Sequence, residues 1–100
     1  LVAAIGPHIS EAAFEIGRDV AEQLACCSSN TGAVQFTDNG KARANLRSIC
    51  RAQLRDAGLL DEHIDDVWGC TYSEPENFFS FRRDGAVGGR HLSAIRPRAA

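Results

Sequence analysis

The stretch LVAAIGPHISEAAFEIGRDVAEQL, residues 1–24, decides the fold class. Its opening run from Val2 to Ile5 is apolar and partly β-branched and stops at Gly6-Pro7, which predicts a short strand followed by a turn. Ser10 is a good N-cap, and the apolar side chains after it recur at three- and four-residue steps, so a helix is predicted from about residue 11 to residue 25. The residues of this apolar stripe are Ala13, Ile16, Val20 and Leu24.

The rest of the chain alternates between extended and helical patterns. We predict an extended segment at Val34–Phe36, a turn at Asp38-Asn39-Gly40 and a helix over 42–57 that is ended by Gly58. Beyond the helix we predict a buried strand over Ile64–Thr71, which includes Trp68, and a closing strand over His91–Ile95. Mixed strands and helices without an internal repeat predict an α+β fold, with a mixed sheet and packed helices.

Length and composition allow one small domain. The chain has 100 residues, of which 44% are hydrophobic and 24% charged, so it can build a modest core and is not a disordered tail. It has no run of eighteen apolar residues and no signal-peptide pattern, so we expect a soluble cytoplasmic protein with no membrane partner. Because it contains no methionine and opens within an apolar run, we expect a piece of a longer protein.

The charge is arranged in alternating blocks. Residues 1–40 carry a net charge of −4, 41–55 of +5, 56–76 of −7 and 77–100 of +4, for a total of −2. A nucleic-acid-binding domain is usually basic overall, so we expect no nucleic-acid partner. Within the basic block Arg43, Arg47, Arg51 and Arg55 lie four apart on a predicted helix. A phosphate-binding stripe and a solvated helix edge both fit this spacing, and the solvated edge is the commoner case.

The cysteines and histidines do not form a metal-binding pattern. Cys26 and Cys27 are adjacent, Cys50 and Cys70 lie far along the chain, and neither C-x-x-C nor H-x-x-x-H occurs. We therefore expect reduced thiols and no metal site within these residues. Cys70 has no basic neighbour within two positions, which favours a buried inert thiol in apolar surroundings over a nucleophile.

Two segments, taken together, resemble a known family. The first is AIGPHI with FEIG, residues 4–9 and 14–17, and the second is CTY, FFSFRRDG and GR, residues 70–72, 78–85 and 89–90. With the leucine-containing helix between them, this order is similar to the C-terminal portion of the YfiH-like or laccase-domain proteins, also called polyphenol oxidase or purine nucleoside phosphorylase proteins. The resemblance covers nearly the whole chain, so we interpret residues 1–100 as the C-terminal portion of one such domain.

The resemblance implies a zinc-dependent enzyme of purine nucleosides. Its reactions would be phosphorolysis of adenosine, inosine or methylthioadenosine and deamination of adenosine, with a nucleoside and phosphate as partners. The family's expected zinc ligands lie in upstream histidine and cysteine motifs that this sequence lacks. Alternatives within the family are copper-dependent oxidation of phenols and amidase-type editing of peptidoglycan precursors. A non-catalytic interaction module is the alternative outside it.

Candidate substrate-binding residues fall in the same two segments, and no catalytic residue is assigned. Gly6 allows close backbone approach, Pro7 fixes the turn, and a helix starting near Ser10 would offer N–H groups to an anion. Further along, Arg82, Arg83 and Arg90 could hold a phosphate or carboxylate, with Tyr72 and Phe78 stacking on a purine. In the alternative interpretation Arg82 and Arg83 pair with Asp84, Glu74 and Glu76. Phe79 and Phe81 are predicted to be core residues.

Overall fold

The computed structural model describes residues 1–37, 39–67 and 69–98. In chain order the strands and helices are β1 (Ala3–Ile5), β2 (Glu15–Gly17), α1 (Arg18–Ala25), β3 (Val34–Phe36), β4 (Lys41–Ala44), α2 (Leu46–Asp56), β5 (Ile64–Asp66) and α3 (Phe81–Asp84). Single 3-10 turns lie at Glu11–Ala13, Thr31–Ala33, Asp61–His63 and Gly85–Val87. The predicted α+β class is confirmed. Among the described residues, none of the helices is long and apolar enough to cross a membrane.

An antiparallel sheet with β4 at its centre carries the main core. β4 pairs with β2 on one side and β3 on the other, with Ile16 opposite Ala42 and Val34 opposite Ala44. Ala42 and Ala44 are fully buried because alternate residues of a strand face the same side. Helix α1 packs on this face through Ala21, and Ile49 of α2 joins the same cluster.

A second, two-stranded parallel sheet joins the start of the chain to residues 64–66. The predicted opening strand is confirmed as β1, and it pairs with β5, with Ala3 opposite Ile64 and Ile5 opposite Asp66. Helix α2 packs against β1. The pairing continues beyond the strands, since the Val67 N–H donates to the Ile5 carbonyl and His8 forms an isolated parallel bridge with Cys70.

The prediction of one helix from residue 11 to 25 is wrong in its first half. Residues Glu11–Ala13 form a 3-10 turn, Glu15–Gly17 form β2, and the α-helix begins only at Arg18. Pairing with β4 overrides the local helical pattern, because it places Glu15 opposite Arg43 and buries Ile16 against Ala42. Only a single 3-10 turn begins after Ser10, so the α-helix N-terminus that was expected to offer N–H groups to an anion is absent there.

The second predicted helix, over 42–57, is four residues too long at its start. Lys41–Ala44 is the strand β4, and α2 begins after Asn45, whose side-chain oxygen accepts the Ser48 N–H at 3.1 Å. That cap stops the helix from extending back into the strand. The predicted C-terminal glycine is confirmed, since Gly58 follows the helix with φ of 106°.

Two predicted strands are shortened or missing. The strand predicted over Ile64–Thr71 ends at Asp66, and Trp68, which was part of that prediction, lies outside the described residues. The predicted strand over His91–Ile95 is wrong. None of the described strands pairs with this segment, and its Leu92 and Ile95 are 94% and 83% exposed.

The aromatic segment is not the core that was predicted. Phe79 is 51% and Phe81 64% exposed. Phe79 packs on Gly89 and lies 5.7 Å from the His91 ring, while the guanidinium of Arg90 lies 5.8 Å from the centre of the Phe81 ring. These rings therefore stack on the C-terminal segment at the surface.

Candidate functional site

A cavity of about 470 Å³, lined mostly by polar residues, lies where the two parallel strands end. Its lining comes from the turn after β1, the start of α2 and the loop after β5: His8, Ser10, Glu11, Ala12, Asn45, Arg47, Gly69, Cys70 and Glu74. The carboxyl ends of parallel strands are where ligands bind in open α/β sheets. Its volume is also that of a small-molecule pocket. We call it the strand-end cavity.

Cys70 sits in a cradle of hydrogen-bond donors on the wall of the strand-end cavity. The backbone N–H groups of Ser10 and Ser73 donate to its Sγ at 3.3 and 3.4 Å, and the Ser73 hydroxyl oxygen lies 3.3 Å away. Burial raises the pKa of the thiol, but the hydrogen bonds with Ser10 and Ser73 outweigh it and lower that pKa to about 6. The prediction of apolar surroundings for Cys70 is thus wrong. The sequence near Cys70 does not show the polar contact from Ser10, which lies sixty positions away.

His8 lies beside Cys70 because the β1–β5 pairing continues to them. Its carbonyl accepts the Thr71 N–H at 3.1 Å, and its ring Nδ1 lies 2.9 Å from the Gly6 carbonyl. A carbonyl only accepts, so Nδ1 carries the proton in this contact, and Nε2 is then the acceptor of the neutral ring. His8 thus contributes an imidazole to the cavity wall, and its hydrogen bond to Gly6 in the turn after β1 fixes the orientation of the ring.

Glu74 closes the loop that carries Cys70. Its Oε2 accepts the Cys70 N–H at 2.7 Å and its Oε1 accepts from the side-chain amide of Asn77 at 3.2 Å. The Glu74 carbonyl also accepts the N–H groups of Asn77 and Phe78. Both carboxylate oxygens therefore bind the loop itself, whereas the alternative interpretation had paired Glu74 with the arginines.

The predicted substrate-binding residues do not gather around one cavity. Gly6 and Pro7 line a separate groove of about 620 Å³ between β1 and α2, together with Leu46, Cys50 and Leu54. Arg90 lines a third cavity, of about 340 Å³, with Phe79 and His91. Tyr72 is exposed, and Phe78 is half-buried with its ring against Gly69. The substrate role of these residues stays a prediction.

Arg82 and Arg83 have different surroundings. Arg82 is exposed, donates to the Glu15 carbonyl at 2.7 Å and lies 5.0 Å from the centre of the Phe14 ring. Arg83 is partly buried and binds three loop carbonyls and the Asp84 carboxylate. The pairing with Asp84 in the alternative interpretation is confirmed for Arg83. An anion would have freer access to Arg82 than to Arg83.

The arginine stripe forms neither a free phosphate site nor a solvated edge. Arg47 and Arg51 of α2 pair with Asp66 of β5 at 3.4 and 3.2 Å, with side chains only 21–24% exposed. Further along, Arg51 and Arg55 pair with the exposed Asp61 at 3.4 and 2.5 Å, and hydrogen bonding from Arg55 lowers the pKa of that carboxyl. Arg43 lies on β4 and donates to the Ala12 carbonyl. The basic block therefore joins α2 to the acidic block that follows it.

Metal-binding residues do not cluster in the part of the chain that is described. Within residues 1–37, 39–67 and 69–98, no three histidine, cysteine or carboxylate side chains lie together as metal ligands would. All four cysteines are free thiols, with Cys26, Cys27 and Cys50 exposed. The residues present here thus do not fit a zinc or copper centre of their own.

Comparison with known proteins identifies the family. A family model described as multi-copper polyphenol oxidoreductase laccase matches residues 1–98. The chain belongs to this laccase-domain family. The recognition of a YfiH-like protein from the AIGP and FFSFRRD segments is therefore confirmed.

Relatives and solved structures of the laccase-domain family agree with this fold. The chain is 32% identical over 91 residues to the purine nucleoside phosphorylase YfiH of Shigella flexneri, covering 88% of this chain and 35% of that protein. It is 37% identical over 95 residues to the adenosine deaminase RL5 of an unknown prokaryotic organism, covering 93% and 36%. The crystal structure of a Bacillus licheniformis hypothetical protein YfiH superposes with a TM-score of 0.77 at 28% identity, covering 85% of this chain and 33% of that one. The chain spans about a third of the length of these proteins.

Proposed function

We propose that this laccase-domain chain is the C-terminal part of an enzyme of purine nucleosides, and that the strand-end cavity is its share of the substrate pocket. The reaction is phosphorolysis of a purine nucleoside or deamination of adenosine, with the nucleoside and phosphate as small-molecule partners. Nucleic acid and membrane are not partners in this proposal, and the compartment we infer is the cytoplasm.

The observation that carries the proposal is the agreement between the relatives' names and the position of the cavity. Relatives at 32–37% identity are named purine nucleoside phosphorylase and adenosine deaminase, and they align over most of this chain. Each of the two segments that carry the family resemblance contributes one residue to the wall of the strand-end cavity, His8 from AIGPHI and Cys70 from CTY. A pocket at which both of these segments meet is the best candidate for the shared activity.

The cavity wall suits a neutral, hydroxyl-bearing ligand. Its titratable side chains are His8, Glu11, Arg47, Cys70 and Glu74, so acceptors outnumber the single cationic group. Sugar hydroxyls donate to such acceptors, whereas a phosphate would be repelled by the two carboxylates. We therefore place the nucleoside sugar against this wall and assign phosphate contact to the exposed guanidinium of Arg82.

The metal of the proposed enzyme is not held by the described residues. The family resemblance implies zinc, which would polarise the reacting group when bound, and the family description names copper. In the proposal its ligands come from outside this sequence. The described residues only shape the pocket wall and bind the sugar.

Product analysis tests the proposal. The natural polypeptide that carries this chain is incubated with adenosine or inosine, with and without phosphate, and the products are separated by chromatography. Free purine that forms only with phosphate supports phosphorolysis, and inosine with ammonia from adenosine supports deamination. Oxidation of a phenol or cleavage of a peptidoglycan precursor without nucleoside turnover would replace the proposal by the corresponding alternative. No turnover of any of these would favour an interaction module.

A further inference from the structure

We propose that Arg83 is a positioning residue of the strand-end cavity, which locks the loop of residues 69–78 in the shape that places Cys70 and Glu74 on the cavity wall. The proposal rests on the proposed function for the role of that cavity. In this proposal Arg83 does not contact the substrate directly, and it acts on the cavity by holding the loop of residues 69–78 in place.

The first observation is that the donors of Arg83 are fully used. A guanidinium has five N–H groups in a fixed plane. In Arg83, Nη1 donates to the carbonyls of Thr71 and Tyr72 at 2.9 and 3.1 Å, and Nη2 donates to the Phe78 carbonyl and to Asp84 Oδ2 at 2.9 and 2.8 Å. Nε completes the set with Asp84 Oδ1 at 3.1 Å. A substrate anion would have to displace one of these partners.

The second observation is that the bonded carbonyls lie at both ends of one loop. Thr71 and Tyr72 directly follow Cys70, and Phe78 ends the loop three residues before α3 begins. One rigid fork therefore holds the start and the end of the loop together. Because Arg83 lies in α3 and its backbone N–H donates to Ser80 Oγ at 3.3 Å, the fork is itself anchored to a helix cap.

The third observation is that, among the described residues, the other hydrogen bonds and ring contacts between this loop and the rest of the chain lie near its two ends. Thr71 donates to the His8 carbonyl, Cys70 Sγ accepts the Ser10 N–H, and the Phe78 ring lies 5.9 Å from the His91 ring. Ser73 and Glu74 bond within the loop, so release of the Thr71 and Tyr72 carbonyls by Arg83 is expected to let Ser73 move away from Cys70 Sγ. The hydrogen-bond donors around the Cys70 thiol therefore change when the loop moves, and the reactivity of the thiol reports that movement.

The reaction of Cys70 with iodoacetamide measures that position without any substrate. Alkylation is followed from pH 5 to pH 10 in the natural polypeptide that carries this chain, with Cys26, Cys27 and Cys50 replaced by Ser, and peptide mass spectrometry identifies the product at Cys70. The charged groups that share the cavity with the thiol are His8, Glu11, Arg47 and Glu74, and all are left unchanged. The midpoint expected for the parent is about pH 6. In Arg83→Lys the charge remains but one ammonium cannot span three carbonyls, so we expect the midpoint to rise by at least one pH unit.

Arg82→Lys is the matched control. Arg82 contacts Glu15 and Phe14 and none of the carbonyls of residues 69–78, so the alkylation midpoint of this variant is expected to equal that of the parent. All measurements are made well below the melting temperature of each variant. An unchanged midpoint in folded Arg83→Lys would overturn the proposal, as would an equal shift in Arg82→Lys. Failure of Arg83→Lys to fold would assign Arg83 a purely structural role and would overturn it as well.

Turnover by the natural polypeptide separates this proposal from the proposed function. Arg83→Lys is expected to lower kcat/KM at least tenfold with the same rise in the midpoint of Cys70 alkylation. If the polypeptide turns over no nucleoside, the proposed function fails, while the alkylation shift still decides the role of Arg83 in the loop.

Discussion

Gly69 shows, at the scale of the residue, why the loop after β5 takes its shape. Its φ is 153°, and a Cβ built on it would lie 2.5 Å from the Phe78 ring, so any side chain would push the ring away. Without that packing, Phe78 could not bring its carbonyl to Arg83. Because Gly69 has no Cβ, the Phe78 ring can pack against it, and this packing supports one wall of the strand-end cavity.

Replacing Gly69 with Ala is therefore expected to destabilise the chain by about 1–3 kcal/mol through overpacking. Gly6→Ala is the control, because a Cβ at Gly6 meets nothing within 4 Å. We expect that variant to stay within about 0.5 kcal/mol of the parent. Urea unfolding of both variants measures the difference, and equal stability of the two would contradict the account of the loop.

The Cys70 thiol predicts a rise of stability with pH. Its folded pKa of about 6 lies below the ordinary value of a thiol, so the unfolded chain holds the proton over the range in which the folded chain has lost it. The stabilisation is thus fully present above the unfolded pKa of about 8.5 and is lost as the pH falls through the folded value. In melting experiments the advantage of the parent over Cys70→Ser should grow from pH 6 to pH 9. A constant or shrinking advantage over this range would show that the thiolate is not stabilised in the fold.

Helix α2 and strand β5 are joined, at the scale of the element, by ion pairs that differ in burial. Asp66 is 21% exposed and faces both Arg47 and Arg51, whereas Asp61 is 60% exposed. Removing a partly buried carboxylate leaves two arginines without their counter-charge, while an exposed pair gains little from its attraction because water screens it.

Asp66→Asn is accordingly expected to cost about 1.5–3 kcal/mol, since a hydrogen bond with a charged partner contributes that much. Asp61→Asn is expected to cost much less than Asp66→Asn, because water screens the exposed pair. Thermal melts at pH 7 in low and in 0.5 M salt compare the two. A larger loss for Asp61→Asn would contradict the assignment of Asp66 as the main tie between α2 and β5.

The elements that the sequence predicts well are those whose ends carry local chemistry. The turn at Gly6-Pro7 ends β1, and Gly58 follows α2 with the positive φ that glycine adopts freely. The elements predicted wrongly are those decided by distant partners. Residues 15–17 fit a helical stripe, yet they form a strand because β4 lies beside them. Local periodicity contains no information about that neighbour.

The candidate site of the assembled chain shows the same difference between features that adjacent residues reveal and features that distant contacts decide. The family was recognisable from the AIGP and FFSFRRD segments, because their residues are adjacent in sequence. The strand-end cavity was not, since it brings Ser10 to Cys70 and His8 to Thr71 across about sixty positions. One usable signal was that His8 follows the first predicted strand and Cys70 lies near the end of the strand predicted over Ile64–Thr71, and parallel pairing of those strands places both at the same edge.

Protection of Cys70 by nucleoside is the most direct test of the strand-end cavity as a substrate pocket. The natural polypeptide is alkylated at pH 7 with limiting iodoacetamide, with and without saturating adenosine or inosine, and the rate at Cys70 is compared with that at the exposed Cys50. We predict that the nucleoside slows alkylation of Cys70 at least tenfold and leaves Cys50 unchanged. Undiminished alkylation of Cys70 in a sample that turns over the same nucleoside would contradict the account and place the substrate elsewhere.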